Sequence, residues 1–163
     1  MRTDNKLTKE YLQSLFDYRD GNLFWKVNKK GILKNKLAGT KSHHYHQICI
    51  DYRIYRTHRL IWIYHYGNTD FLIDHINGDT FDNRIENLRI CNESESSCNV
   101  KKSKRNTSGV KGVDWSAQKM RWRARIIFKK KTIHVGFFKD IKEAEQKIKE
   151  KRLLIHKEFS NHG

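Results

Sequence analysis

The sequence predicts an α+β chain of two small modules, and three observations carry that expectation. Residues 71–99 run in the order strand, turn-rich loop, strand, helix. Residues 110–156 read as three strand-like stretches followed by one helix. Charge is divided unevenly: residues 1–99 carry 15 Lys/Arg against 12 Asp/Glu, and residues 100–163 carry 19 against 6. A chain of 163 residues has room for two small domains. Four Trp, eight Phe and seven Tyr supply apolar area for their cores. The expected segmentation is a first domain at 1–100, a basic linker at 101–108 and a second domain at 109–163.

Taken in order, Thr8 is placed to cap a helix over residues 9–16, in which Leu12, Leu15 and Phe16 recur at helical spacing. Asp20-Gly21 turns the chain and residues 22–27 read as a strand. Residues 29–44 are polar and basic. Residues 45–50 and 54–58 form two arms of a hairpin around Asp51-Tyr52-Arg53. Thr57 is the expected cap of a helix over residues 58–66, which Gly67 ends because a residue without Cβ suits the left-handed conformation. Residues 71–75 and 87–90 are short strands separated by a run rich in Asn, Asp and Gly. Asn92 and Glu95 are spaced for a capping box at the start of the next helix.

The net charge of +16 favours a polyanion: duplex DNA, RNA or an anionic membrane surface. No apolar run approaches the roughly 20 residues that span a bilayer, and the polar start at residues 1–4 lacks a signal-peptide core. A cytoplasmic protein without a membrane partner is therefore expected. Cys49, Cys91 and Cys98 form no Cys-x-x-Cys pair, so reduced thiols are expected and neither a disulfide framework nor a structural zinc.

Hydrolysing a phosphodiester requires an activated water, a neutraliser of developing charge and a scaffold for both. His75 suits the general base, since imidazole accepts a proton near neutral pH. Asp74 suits a hard cation, Mg²⁺ or Mn²⁺. The two alternate across a strand and serve one site only where that strand ends. Asp79 and Asp82 read as turn formers. His43, His44 and His46 have no partner acid and read as surface or DNA-backbone contacts.

Asp74-His75-Ile76-Asn77-Gly78-Asp79, followed by Asp82-Asn83-Arg84-Ile85-Glu86-Asn87-Leu88-Arg89 and preceded by His58-Arg59-Leu60, resembles the HNH motif of phage-type homing endonucleases. The resemblance spans most of residues 1–100. It implies a ββα-metal (HNH, His-Me finger) nuclease domain that cuts double-stranded DNA with one divalent metal ion and takes no small-molecule substrate. It further implies a monomer, encoded by a phage and working in the cytoplasm of an infected bacterium. By the same resemblance Asn87 orients His75, and a helix residue is the second metal ligand. The family usually has His or Asn there, whereas this chain has Ser96; Asn99 one turn on, or Asn92 or Glu95, are the substitutes. That departure keeps open a catalytically degenerate DNA-binding protein. His58 either packs its own helix or contacts phosphate.

Ser108-Gly109-Val110-Lys111-Gly112-Val113, Trp122-Arg123-Ala124, Gly136-Phe137-Phe138 and Glu143-Ala144 resemble the plant ethylene-response-factor (APETALA-type) DNA-binding domain, a small three-stranded sheet plus helix. The residues themselves agree with DNA binding. Arg121, Arg123 and Arg125 share one face of a period-2 strand, with Trp122, Ala124, Ile126 and Phe128 on the other. Forked arginines suit guanine edges or phosphates. Ile141, Ala144, Ile148 and Ile155 mark the packing face of the helix. Lys101, Lys102, Lys104 and Arg105 are the expected phosphate contacts of the linker. RNA binding is the competing use of this charge.

Overall fold

A computed structural model describes residues 7–28, 31 and 33–162. The polar start at residues 1–4 lies outside the described residues, as do Lys29, Lys30 and Ile32 of the 29–44 stretch. The chain divides into two compact units, Met1–Cys91 and Asn92–Gly163, so the helix carrying the third motif position belongs to the second unit.

In the first unit, α1 (Lys9–Leu15) starts at Thr8, whose hydroxyl accepts from the Tyr11 amide at 3.1 Å. Phe16 leaves the helix and opens β1 (Phe16–Arg19), which pairs antiparallel with β2 (Asn22–Trp25). The sequence reading puts Phe16 in the helix and has no β1. Asp20 and Gly21 are both left-handed (φ 43 and 77), the two-residue turn whose twist matches paired strands. The hairpin then brings the Phe16 ring within 4.4 Å of Trp25, a contact between residues far apart in any helical wheel. Tertiary pairing outweighs helical spacing here.

A second sheet, ordered β3-β4-β5, comprises β3 (Thr40–Lys41), β4 (His46–Ile50) and β5 (Arg53–Arg56). Asp51 and Tyr52 make its hairpin turn with φ of 48 and 63. Next, α2 (Thr57–Tyr66) has Arg56 as its N-cap, without a side-chain cap bond. Thr57, the expected cap, is buried inside the first turn, and its hydroxyl lies 3.1 Å from His46 Nδ1. His46 is thus half-buried and engaged, whereas His43 and His44 stay exposed. Gly67 ends α2 as expected, with φ 85 and its amide on the Ile63 carbonyl. Two short antiparallel strands follow, β6 (Leu72–His75) and β7 (Leu88–Cys91). Leu12, Phe16, Leu23, Ile48, Leu60 and Leu88 belong to one buried cluster against which Ile73 packs, so this core anchors both strands of the pair.

The second unit opens with α3 (Glu93–Cys98). Its capping box is complete: the Glu95 amide donates to Asn92 Oδ1 at 3.0 Å and the Asn92 amide to Glu95 Oε2 at 2.8 Å. Residues 101–105 are exposed and neither helical nor extended. Within the expected linker, Asn106 and Ser108 turn back onto the Val110 and Val113 carbonyls, so the chain starts packing before residue 109. β8 (Val113–Ser116), β9 (Arg121–Phe128) and β10 (Lys131–Phe138) form a sheet ordered β10-β9-β8, joined at one end by left-handed Lys129 and Lys130. The helix α4 (Ile141–His156), capped by Asp140, packs Ala144 and Ile148 on Val113, Ala124 and Ile126. Gly112 permits the close fit. A Cβ there would lie 2.6 Å from the Arg125 carbonyl oxygen and 2.7 Å from Ile148. Among the described residues no helix is long and apolar enough to cross a membrane.

Candidate active site

Antiparallel register sets Asp74 opposite Arg89 and His75 opposite Leu88. Asp74 Oδ2 therefore receives a fork from Arg89, Nη2 at 3.1 Å and Nε at 3.3 Å, in a setting where both side chains are mostly buried. Leu88 belongs to the apolar core, which explains why its partner His75 is only 4% exposed.

The loop between β6 and β7 is tied by its own side chains. Asn77 and Asp79 accept from amides two residues on, the short polar turns that favour these residues. Asp82 receives Arg84 through Nε at 2.9 Å and Nη2 at 2.8 Å and Asn77 Nδ2 at 2.8 Å. Those bonds, that of Arg84 first, hold its carboxyl down at about 2. A depressed acid contributes stability above its unfolded value, and that contribution is lost as pH falls from 3.8 through about 2. Hydrogen exchange at the Phe81 amide should accelerate in that window, and Asp82→Asn should make exchange faster at neutral pH and insensitive to acid.

Asn83, only 4% exposed, is the partner of the imidazole: its Oδ1 lies 3.0 Å from His75 Nε2. The Asn83 amide nitrogen faces the Phe81 carbonyl at 3.4 Å, which orients the oxygen to the ring. Facing this acceptor, Nε2–H is the donor of the pair. Sequence reading missed Asn83, although its place in the motif, eight residues from His75, was visible.

Asn87 does something other than the expected bond to His75. It is buried in a 3₁₀ turn (Ile85–Asn87), its Nδ2 donates to the Asp82 carbonyl at 2.7 Å and to Asn77 Oδ1 at 3.1 Å, and its Oδ1 accepts from the Asn77 amide at 3.0 Å. It staples both ends of the loop that delivers Asn83. Its influence on His75 is indirect, because every polar atom of its amide is spent on the loop.

His58 is 6% exposed on α2, and its ring meets His75 edge-on, with centroids 4.9 Å apart and planes at 76°. Tyr45 packs on its other neighbour side at 5.4 Å. Burial, then the charges of His75, Arg56 and Arg59, push its titration down to about 3. Of the two expected roles the structure shows packing: the buried ring lies against His75 and Tyr45. A base lowered this far costs stability as pH falls from 6.5 toward 3, because only the unfolded chain gains the proton. His58→Phe should flatten the fall of stability across that window in urea melts at stepped pH.

The remaining motif positions lie in the second unit. Asn92 and Glu95 are committed to the capping box. Asn99, 5% exposed, receives Asn161 Nδ2 on its side-chain oxygen at 3.1 Å and on its carbonyl at 2.9 Å. Ser96 is half-buried. Among the described residues no three His, Cys, Asp or Glu side chains gather as a metal-binding group. A hard cation that keeps waters and takes substrate oxygens needs only one or two protein carboxylates, and Asp74 meets that requirement in competition with Arg89. All three cysteines are free thiols.

On β9, Arg123 donates to Asp114 at 2.6 Å and Arg125 lies 3.3 Å from the same carboxylate, so two of the three expected DNA-contacting arginines share one acid. Arg121 is half-buried at the start of the strand. Lys101, Lys102, Lys104 and Arg105 are exposed, with Lys102 Nζ on the Gly109 carbonyl at 2.6 Å.

The strand pair that ends in Asp-His and its Asn-stapled loop lie within residues 55–97, which match the HNH endonuclease family. The chain belongs to that family. It is 32% identical over 111 residues to Protein 3.8 of Escherichia phage T7, covering 67% of this chain and 91% of that protein. No solved structure matches it significantly. At the family level this supports nuclease activity with DNA as the substrate and relates the chain to a phage protein.

Proposed function

We propose that this protein is a metal-dependent endonuclease hydrolysing phosphodiester bonds of double-stranded DNA, acting as a free-standing phage homing endonuclease in the cytoplasm of the infected host. The observation that carries the reading is His75, buried at the end of β6 with Nε2 on Asn83 and beside Asp74. In this mechanism Nδ1 of His75 takes a proton from a water, whose oxygen attacks the phosphorus. The P–O bond to the leaving strand end breaks, and that oxygen is protonated from solvent. The imidazolium so formed is steadied by Asn83, which accepts from Nε2–H in both protonation states. A divalent cation, Mg²⁺ or Mn²⁺, would be held by Asp74 and would supply charge neutralisation at the scissile phosphate.

The second module, residues 109–163, is read as an APETALA-type DNA-anchoring domain, with Arg121, Arg123 and Arg125 on its sheet and the basic segment 101–108 as its approach. Its sheet-plus-helix architecture and the surplus of cations support that reading. A monomer with one such centre nicks one strand per binding event.

A second reading has a specific observation in its favour. Arg89 occupies Asp74, and the helix offers Ser96 where the family has His or Asn, as a chain that kept the fold and lost the metal would show. Supercoiled plasmid incubated with Mg²⁺, Mn²⁺ or EDTA separates the two. Nicking that requires metal is expected; tight duplex binding without cutting under any metal, on plasmid and on phage and host DNA, would establish the degenerate binder.

A further inference from the structure

We propose that the second unit contains a binding cleft for a phosphate group, floored by Arg152 and His156 and walled by Lys111 and the cations of residues 101–105. The cleft has a volume of about 550 Å³ and is lined entirely from within this unit. That is large enough for a nucleotide.

Arg152 on α4 is only 2% exposed. One of its terminal nitrogens donates to the Lys111 carbonyl at 2.7 Å and the other lies 3.3 Å from His162 Nδ1, and most of its five N–H groups meet no acceptor among the described residues. The Lys111 ammonium, beside it, donates to the Val100 carbonyl and, at 2.9 Å, to that of Asn161. Among the described residues no carboxylate touches either cation. Lys101, Arg105 and Arg125 add positive charge to the lining, where the acid Asp114 is already engaged by Arg123 and Arg125. His156 is 6% exposed, and neither ring nitrogen makes a hydrogen bond; the Ile127 carbonyl is within electrostatic reach but off hydrogen-bond geometry.

Burying a guanidinium without a counter-ion is unfavourable, and so is leaving a buried imidazole unsatisfied. A group with several acceptor oxygens and negative charge relieves both, and the planar fork of Arg152 matches phosphate geometry. The charge imbalance is visible in Lys111, which burial and then Arg152 push down to about 8. Val100 and Ile127, both exposed, line the same cleft and give an adjoining sugar or base an apolar surface. Two sources offer this chemistry, a phosphate of a DNA strand and a free nucleotide.

The inference rests on the reading of this unit as the DNA-anchoring part, and it is separable from the nuclease reading. A protein that cuts nothing yet binds phosphate through Arg152 keeps the one and sinks the other. The test uses the full chain, with Arg152→Met and His156→Gln as variants and Lys142→Gln as a surface-charge control. Calorimetric titration with inorganic phosphate and with deoxyadenosine monophosphate is run beside duplex-DNA anisotropy over a salt series. Binding of the free anions, weakened about tenfold in both cleft variants and unchanged in the control, assigns the site to free nucleotides. No free-anion binding, but a loss of duplex affinity in the cleft variants with the salt slope shallower by about 0.9, assigns it to one DNA phosphate. Unchanged anion and duplex binding in a folded cleft variant, or an equal loss in Lys142→Gln, overturns the proposal. Should Arg152→Met fail to fold, His156→Gln decides alone.

Discussion

His75→Ala should lower the single-turnover rate of plasmid cleavage by about 10²–10⁴-fold, the usual contribution of a positioned general base, while leaving duplex affinity unchanged. The two quantities separate because His75 is buried at the end of β6 and offers no surface charge to DNA. Asn83 provides a graded companion. Asn83→Leu removes the acceptor on Nε2 and so frees the ring to place its proton on Nδ1, the nitrogen that must accept one. A loss of about 10–100-fold is expected, comparable to removing an orienting partner at other catalytic centres. Asn83→Asp, which retains an acceptor, should lose less than Asn83→Leu. Wild-type cutting by His75→Ala would exclude the proposed base, and an Asn83 series in the reverse order would exclude the proposed tautomer.

Phe16→Ala should cost about 3–5 kcal/mol and lower the melting temperature of the first unit on the order of 20 °C. Phe16 is fully buried, lies against Trp25 and belongs to the cluster that also buries Leu88. The cavity left by its ring therefore sits in the same core that anchors β7, and through the pairing of β7 with β6 it reaches Asp74 and His75. Fluorescence of Trp25 during thermal unfolding follows the change. A drop of only a few degrees would mean that the hairpin collapses onto the void, and that this core is softer than its burial indicates.

Much of the site is legible in the residues themselves. Asp74-His75 at the end of a short apolar run, then Asn and Asp at turn spacing, defines a loop tied by its own side chains, because such side chains bond local backbone whatever surrounds them. Local rules also account for the Thr8 cap, the Gly67 stop and the Asn92–Glu95 capping box, all of which act within one helical turn.

What the sequence by itself determined is therefore the short-range part: which stretches, β1 and β3 apart, are extended or helical, where turns fall, and that cations crowd the C-terminal third. Only the tertiary structure decided the partnerships. Strand register placed Arg89 on Asp74. Folding of the loop gave the His75 ring to Asn83 and left Asn87 as a staple. Burial on α2 made His58 a packing neighbour of His75, one of its two expected roles, and hairpin closure took Phe16 out of its helix. Each of these depends on pairing residues distant along the chain, whose free energy comes from burial and register, and neither quantity is carried by any local stretch of sequence.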